Sequence, residues 1–165
     1  MEYHTAYLSA GSNIGDKLKN CQNGLNALAE SGTSLVTNIS RFYKTEPVDY
    51  KNQDWFINCA AKIKTKLDPF NFLNELKSIE INAGRTTDSL RFGPRILDLD
   101  IIFFDDFVIN SPKLVIPHPR MHTRRFVLKP LSDIIDYKIV HPVIKKNILI
   151  LLENLDKNKQ KVMQI

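Results

Sequence analysis

Two aspartates, Asp98 and Asp100, interrupt an otherwise apolar run from Ile96 to Phe104. In a strand, residues i and i+2 share a face, so both carboxylates point the same way. The same alternation puts Ile96 and Ile102 beside them and turns Leu97, Leu99, Ile101 and Phe103 to the other side. Carboxylates on an apolar strand are costly unless compensated. A divalent cation compensates them, and Mg²⁺ is commonly held by one or two carboxylates with substrate phosphates completing its shell. The preceding segment carries Arg85, Arg91 and Arg95, and guanidinium groups present a rigid donor fork suited to phosphate oxygens. A bare Asp-x-Asp would be explained by a salt-bridged surface pair. Following Arg91-Phe92-Gly93-Pro94-Arg95, the pair points to metal-assisted nucleotide chemistry.

Periodicity outlines the elements that must position these groups. Residues 6–10 read as a short buried strand ending at Gly11. Residues 16–31 read as a helix, with Leu18, Cys21, Leu25 and Leu28 at helical spacing and Gly32 as the stop. Residues 35–43 are strand-like, and residues 55–65 alternate as a strand. In that second strand Ile57, Cys59, Ala61 and Ile63 form one face, and Phe56 and Asn58 belong to the other. Asp68-Pro69 starts a second helix with Leu73, Leu76 and Ile79 as its core stripe and Ala83-Gly84 as its end. Short strands are expected at 107–109 and 114–116. A last helix is expected after His141-Pro142, with Ile144, Ile148, Leu151, Leu152 and Leu155 on one face. The polar tail from Asp156 is expected to fray.

The order strand–helix–strand–strand–helix–strand is the split βαβ arrangement of an α+β, ferredoxin-like βαββαβ core. Both helices then pack on one face of an antiparallel sheet, with the active site on the other face and an added C-terminal helix. A single domain is expected over residues 1–165, its core spanning about 5–155. If the aliphatic faces of both strands meet the helices, Phe56, Asn58, Asp98 and Asp100 converge on the opposite surface. A ring, an amide and two carboxylates would share one site.

The run Arg91-Phe92-Gly93-Pro94-Arg95-Ile96-Leu97-Asp98-Leu99-Asp100-Ile101-Ile102 resembles the signature of the 6-hydroxymethyl-7,8-dihydropterin pyrophosphokinase family of folate biosynthesis. Further segments fit the same family in order: Gly11 to Asp16, Phe42 to Val48, Phe56 to Ala60, Ile79-Glu80 with Gly84-Arg85, Ile116 to Met121, and Phe126 to Leu131. The resemblance implies pyrophosphoryl transfer from ATP to 6-hydroxymethyl-7,8-dihydropterin, with AMP released. It assigns Asp98 and Asp100 to two Mg²⁺ ions and counts them with Arg85 and Arg95 as catalytic. For the pterin it implies Phe56 and Phe126 as stacking rings, Asn58 as the amide reader, and Thr45 and Val48 at the ring edge. For ATP it implies Lys77, Glu80, Arg85, Arg91, Arg95, Ile101, His118 and Arg124. The loops 48–54 and 85–94, which lack an apolar stripe, are expected to be mobile without ligand and to close over both substrates.

Composition bounds the alternatives. The chain has 165 residues and a net charge of +5, which suits an anionic ligand without choosing between nucleotide and nucleic acid. Two cysteines make no disulfide framework, and neither a zinc spacing nor a secretory signal is evident. Aliphatic runs such as 148–152 are too short to span a bilayer. A cytoplasmic monomer with small-molecule substrates, no nucleic acid and no membrane partner is expected. The rival is a ferredoxin-like nucleic-acid-binding module, but its basic-Gly-aromatic string is missing. Another metal-dependent nucleotidyl transferase fits the Phe56/Asn58 pair poorly. The Walker motif of P-loop kinases does not occur.

Overall fold

The computed structural model describes residues 2–86 and 91–165. The chain runs through β1 (His4–Ser12), α1 (Lys17–Glu30), β2 (Ser34–Ile39), β3 (Tyr43–Thr45), β4 (Phe56–Thr65), α2 (Pro69–Asn82) and β5 (Asp98–Phe104). There follow β6 (Ile109–Asn110), β7 (Val115–Ile116), a 3₁₀ turn (Met121–Thr123), α3 (Arg125–Ser132), α4 (Ile148–Glu153) and β8 (Val162–Gln164). Strands β5, β1, β4, β3 and β8 lie side by side in that order, β2 also pairs with β4, and every pairing is antiparallel. This is an α+β architecture.

Local chemistry explains the helix starts. The Asp16 carboxylate accepts from the Lys19 N–H and caps α1. Asp68 caps α2 through the Phe70 and Asn71 N–H groups, with Pro69 in the first turn, where its missing donor costs nothing. Both helices press on one face of the sheet. Ala6, Leu8, Ala10, Cys59, Ala61, Ile63, Leu99 and Ile101 bury there against Cys21, Leu25, Leu28, Phe72 and Leu76.

The opposite face is more crowded than alternation alone suggests. One end of it is covered by α3 and α4: Tyr7, Ala60, Ile102 and Phe103 pack against Met121, Val127, Leu128, Leu131, Ile148 and Leu151. Only the other end stays open. Phe103, expected on the α1/α2 side, lies on this second face. The cause is a β-bulge: Tyr7 pairs with Phe103 but Leu8 pairs with Ile101, so Ile102 is an extra residue, and parity flips beyond it. The expected strand 35–43 is two strands, broken at Ser40, Arg41 and Phe42, where the Ser40 hydroxyl accepts from the Ala60 N–H. The last helix begins at Ile148, because the Asn147 side chain caps it. Ile144 falls before it, in the turn held by His141. The tail does not simply fray: Val162–Gln164 pairs with β3.

Candidate active site

The register of three strands builds the floor of a cleft. Asp98, Gly11 and Asn58 form one cross-strand row, and Asp100, Ser9 and Ala60 form the next. Neighbouring strands are about 4.8 Å apart, so Asp98 and Asn58 stand roughly 10 Å from each other across the central strand. A Cβ on Gly11 would collide with the Asn58 amide oxygen. Glycine between them keeps the floor open. The cleft is lined by Thr45, Val48, Asp49, Phe56, Asn58, Phe92, Arg95, Asp98, Asp100, His118, Arg124 and Phe126, among others.

At one end the groups on β4 are neutral. Asn58 is buried, and its amide N–H donates to the Thr45 hydroxyl at 2.6 Å, which fixes the amide's orientation. Phe56 opens β4, and Phe126 lines the cleft from the first turn of α3, with the Arg124 guanidinium 5.4 Å from its ring centroid.

At the other end charge accumulates. Asp98 Oδ1 accepts from Arg95 at 2.6 Å and from Arg85 at 3.2 Å. The second of these arginines is held from behind by Glu80, whose Oε2 lies 2.5 Å from Arg85 Nη1. The other Glu80 oxygen accepts the Leu99 N–H at 2.7 Å. Glu80 is therefore a buried brace joining α2, β5 and Arg85, and burial raises its pKa. Asp100 is half-buried by area but sits deep in the cleft among many protein atoms. Desolvation, then the nearby Asp98 and Glu80 carboxylates, push its pKa up to about 7. His118 is driven the other way, down to about 4, by burial and by Arg124 and Arg120. It is thus a neutral imidazole near pH 7. Its position follows from the bulge, since the His118 N–H donates to the carbonyl of the extra residue Ile102 at 3.0 Å.

The donor set suits a hard cation. Two carboxylates share one face, and the cost of ionising Asp100 is one that a cation would relieve. No cluster of three His, Cys, Asp or Glu occurs among the described residues. A site with two protein carboxylates leaves further positions to phosphate oxygens, as Mg²⁺ prefers.

Most of the sequence-predicted residues meet in this cleft: Thr45, Val48, Phe56, Asn58, Arg95, Asp98, Asp100, His118, Arg124 and Phe126 line it. Arg85 reaches it through Asp98. Arg91 is exposed, with its guanidinium 5.0 Å from the Phe92 ring. Lys77 is exposed on α2, and the Ile101 side chain is in the α1/α2 core, so only the Ile101 backbone can serve a ligand. The middle of the 85–94 loop, residues 87–90, lies outside the described residues.

The contacts of several lining or supporting residues escaped sequence reasoning. Asp49 accepts from Arg124 at 3.0 Å and from Arg120 at 3.3 Å. Gln53 donates to the Tyr50 and Phe92 carbonyls. Asn13 donates to the Gln53 amide oxygen at 2.9 Å and accepts the Arg95 N–H at 2.7 Å, tying the end of β1 to both loops. Phe92 has a positive φ of 61°, uncommon for a bulky residue, and the Arg120 guanidinium lies 4.5 Å from its ring. None of these carries a periodic signal, because loop contacts leave none.

Residues 7–136 match the family model described as 7,8-dihydro-6-hydroxymethylpterin-pyrophosphokinase (HPPK). The chain belongs to this family. The 2-amino-4-hydroxy-6-hydroxymethyldihydropteridine pyrophosphokinase of Bacillus subtilis is 43% identical over 129 residues, covering 78% of this chain and 77% of that protein. A folate synthesis bifunctional protein of Arabidopsis thaliana is 44% identical over 133 residues, which are 81% of this chain but 27% of that protein. Among solved structures, a Plasmodium falciparum HPPK-DHPS with pterin and p-hydroxybenzoate matches with a TM-score of 0.75 at 18% identity. That match covers 97% of this chain and 47% of the other, and it is a likeness of fold. This family member is a pyrophosphokinase of folate biosynthesis.

Proposed function

We propose that the cleft divides its two substrates between its two ends, with MgATP over Asp98 and Asp100 and 6-hydroxymethyl-7,8-dihydropterin over Asn58. What carries this reading is the row Asp98–Gly11–Asn58. It sets Asp98, with Asp100 one row on, beside a fixed amide on one open floor. The reaction forms a bond between the pterin hydroxymethyl oxygen and the β-phosphorus of ATP. The bond from that phosphorus to the α-phosphate oxygen breaks, AMP leaves with the electron pair, and the hydroxyl proton passes to solvent. Such transfers depend chiefly on positioning and on electrostatic stabilisation.

Each end has its own task. Asn58, oriented by Thr45, offers its amide edge to the pterin, while Phe56 and Phe126 take the ring faces and Val48 its rim. Arg85 and Arg95 hold Asp98 and face the triphosphate, with Arg91, His118 and Arg124 further along it. His118, kept neutral with its Nδ1 accepting the Arg120 N–H, presents Nε2–H as a donor without adding charge. Lys77 and the Ile101 backbone serve the nucleotide's outer end. Mg²⁺, two ions of which Asp98 and Asp100 would hold, supplies Lewis-acid charge at the β-phosphoryl group.

The core is read as ferredoxin-like, and the chain as one domain acting as a monomer, without nucleic acid. No helix among the described residues is long and apolar enough to cross a membrane. The two buried free thiols, Cys21 and Cys59, suit a reducing cytoplasm. The test is AMP release from ATP and Mg²⁺ with the reduced hydroxymethylpterin. AMP formed only when pterin is present supports the proposal. ATP turnover indifferent to pterin contradicts it.

A further inference from the structure

We infer that Asp49 is a tethered competitor of the nucleotide: its carboxylate occupies Arg120 and Arg124 in the free cleft, and an incoming phosphate must displace it. This rests on the reading that Arg124 serves the nucleotide. The Arg124 side chain is only 9% exposed. A guanidinium that deep in the protein is poorly hydrated and needs an anionic partner in every state of the molecule. Asp49 is that partner here, at 3.0 Å, and it holds Arg120 as well, at 3.3 Å.

The substitution of partners is chemically natural. A carboxylate and a phosphate present similar oxygen pairs to a guanidinium fork. Arg120 and Arg124 carry two positive charges against one on Asp49, so the pair still attracts a polyanion. Asp49 is held close by a short loop, which gives it a high effective concentration and lets it compete with a free ligand. The loop itself is retained by other contacts. Asn13 bonds to Gln53 and to the Asp54 carbonyl, so losing the Asp49 ion pairs need not unseat the segment. The cost to the nucleotide is a reduction in apparent affinity by the fraction of molecules in which the arginines are free.

The sign of the effect separates competition from bracing. ATP binding in the presence of Mg²⁺ would be measured by titration calorimetry for the native chain and for Asp49→Asn, Asp54→Asn and Arg124→Ala. Asp54 is the control: it is in the same loop, but its side chain is 82% exposed and 3.7 Å from Lys17. Competition predicts that Asp49→Asn tightens ATP binding by about three- to tenfold, that Asp54→Asn changes it less than about twofold, and that Arg124→Ala weakens it. Unchanged or weaker binding in Asp49→Asn, with Arg124→Ala impaired, would show that Asp49 merely braces the loop. Equal tightening in the two aspartate variants would reduce the effect to general charge repulsion. An Arg124→Ala variant that binds ATP normally would overturn the assignment of Arg124 and this inference with it.

Discussion

At the Asn58 end of the cleft the recognition groups on β4 are neutral, and the Asn58 amide is already oriented by its bond to the Thr45 hydroxyl, on a strand whose neighbours on both sides are hydrogen-bonded. At the Asp100 end, carboxylates crowd one another, Asp100 is pushed toward its neutral form and His118 is held in its own. At the Asn58 end the geometry is set before any ligand arrives. The other end is electrostatically incomplete, and in the proposed function a cation and a polyanion relieve it. The contrast suggests that recognition of the ring depends on rigid geometry, while the phosphate end stores unfavourable charge for the ligands to neutralise.

The largest effect should come from emptying the charged end. Asp98→Ala and Asp100→Ala are each expected to lower kcat by at least about 10²- to 10³-fold while the purified proteins stay folded by circular dichroism. Asp100→Asn should also raise the melting temperature of the metal-free protein by a few degrees at pH 8. The sign follows from its pKa. Folding raises the Asp100 value from about 3.9 to about 7, so its favourable contribution is complete below pH 4 and is lost as pH rises to about 7. Above that, the native protein carries a buried charge that asparagine lacks. The same shift predicts that Mg²⁺ binding strengthens as pH rises toward 7.

At the neutral end, Phe126→Ala should weaken pterin binding by roughly 1–3 kcal/mol, by analogy with base–aromatic stacking, and Asn58→Ala by about 1–3 kcal/mol, because it leaves ligand polar groups unpaired. ATP affinity should change less than about twofold in Asn58→Ala, and in Phe126→Ala it should fall less than pterin affinity does, because that ring also carries the Arg124 guanidinium. Fluorescence titration with each substrate checks both numbers.

Much of this division was legible in the chain. Alternation, together with the split βαβ order of elements, put Asp98, Asp100, Phe56 and Asn58 on one surface, because a strand's period of two is strict where nothing interrupts it. It failed at Phe103, where an inserted Ile102 reversed parity, and that bulge is what docks His118. Asp49, Gln53 and Asn13 were illegible for another reason. They act through loop contacts between segments up to 82 residues apart, and no local pattern encodes such a meeting. The second layer of α3 and α4 was half visible: Ile148 and Leu151 showed a stripe, but α3 is one short helix with Pro130 inside it.

Two smaller effects sharpen the contrast. Arg85→Ala removes the link between Glu80 and Asp98 and should slow transfer more than it weakens ground-state ATP binding, a split read by comparing kcat with the calorimetric Kd. Gln53→Ala removes contacts that join the two loops, each worth about 0.5–1.5 kcal/mol. It should raise KM for both substrates by only a few fold, since it belongs to neither end.

A reciprocal titration tests the division of the cleft most directly: Mg²⁺-ATP and the reduced hydroxymethylpterin, each titrated separately into Asn58→Ala and Asp100→Asn. The expected result is a crossed pattern. Asn58→Ala loses pterin affinity and keeps ATP, while Asp100→Asn loses Mg²⁺-dependent ATP affinity and keeps pterin. Loss of both ligands in both variants, or the pattern with its ligands exchanged, would contradict the assignment of one substrate to each end.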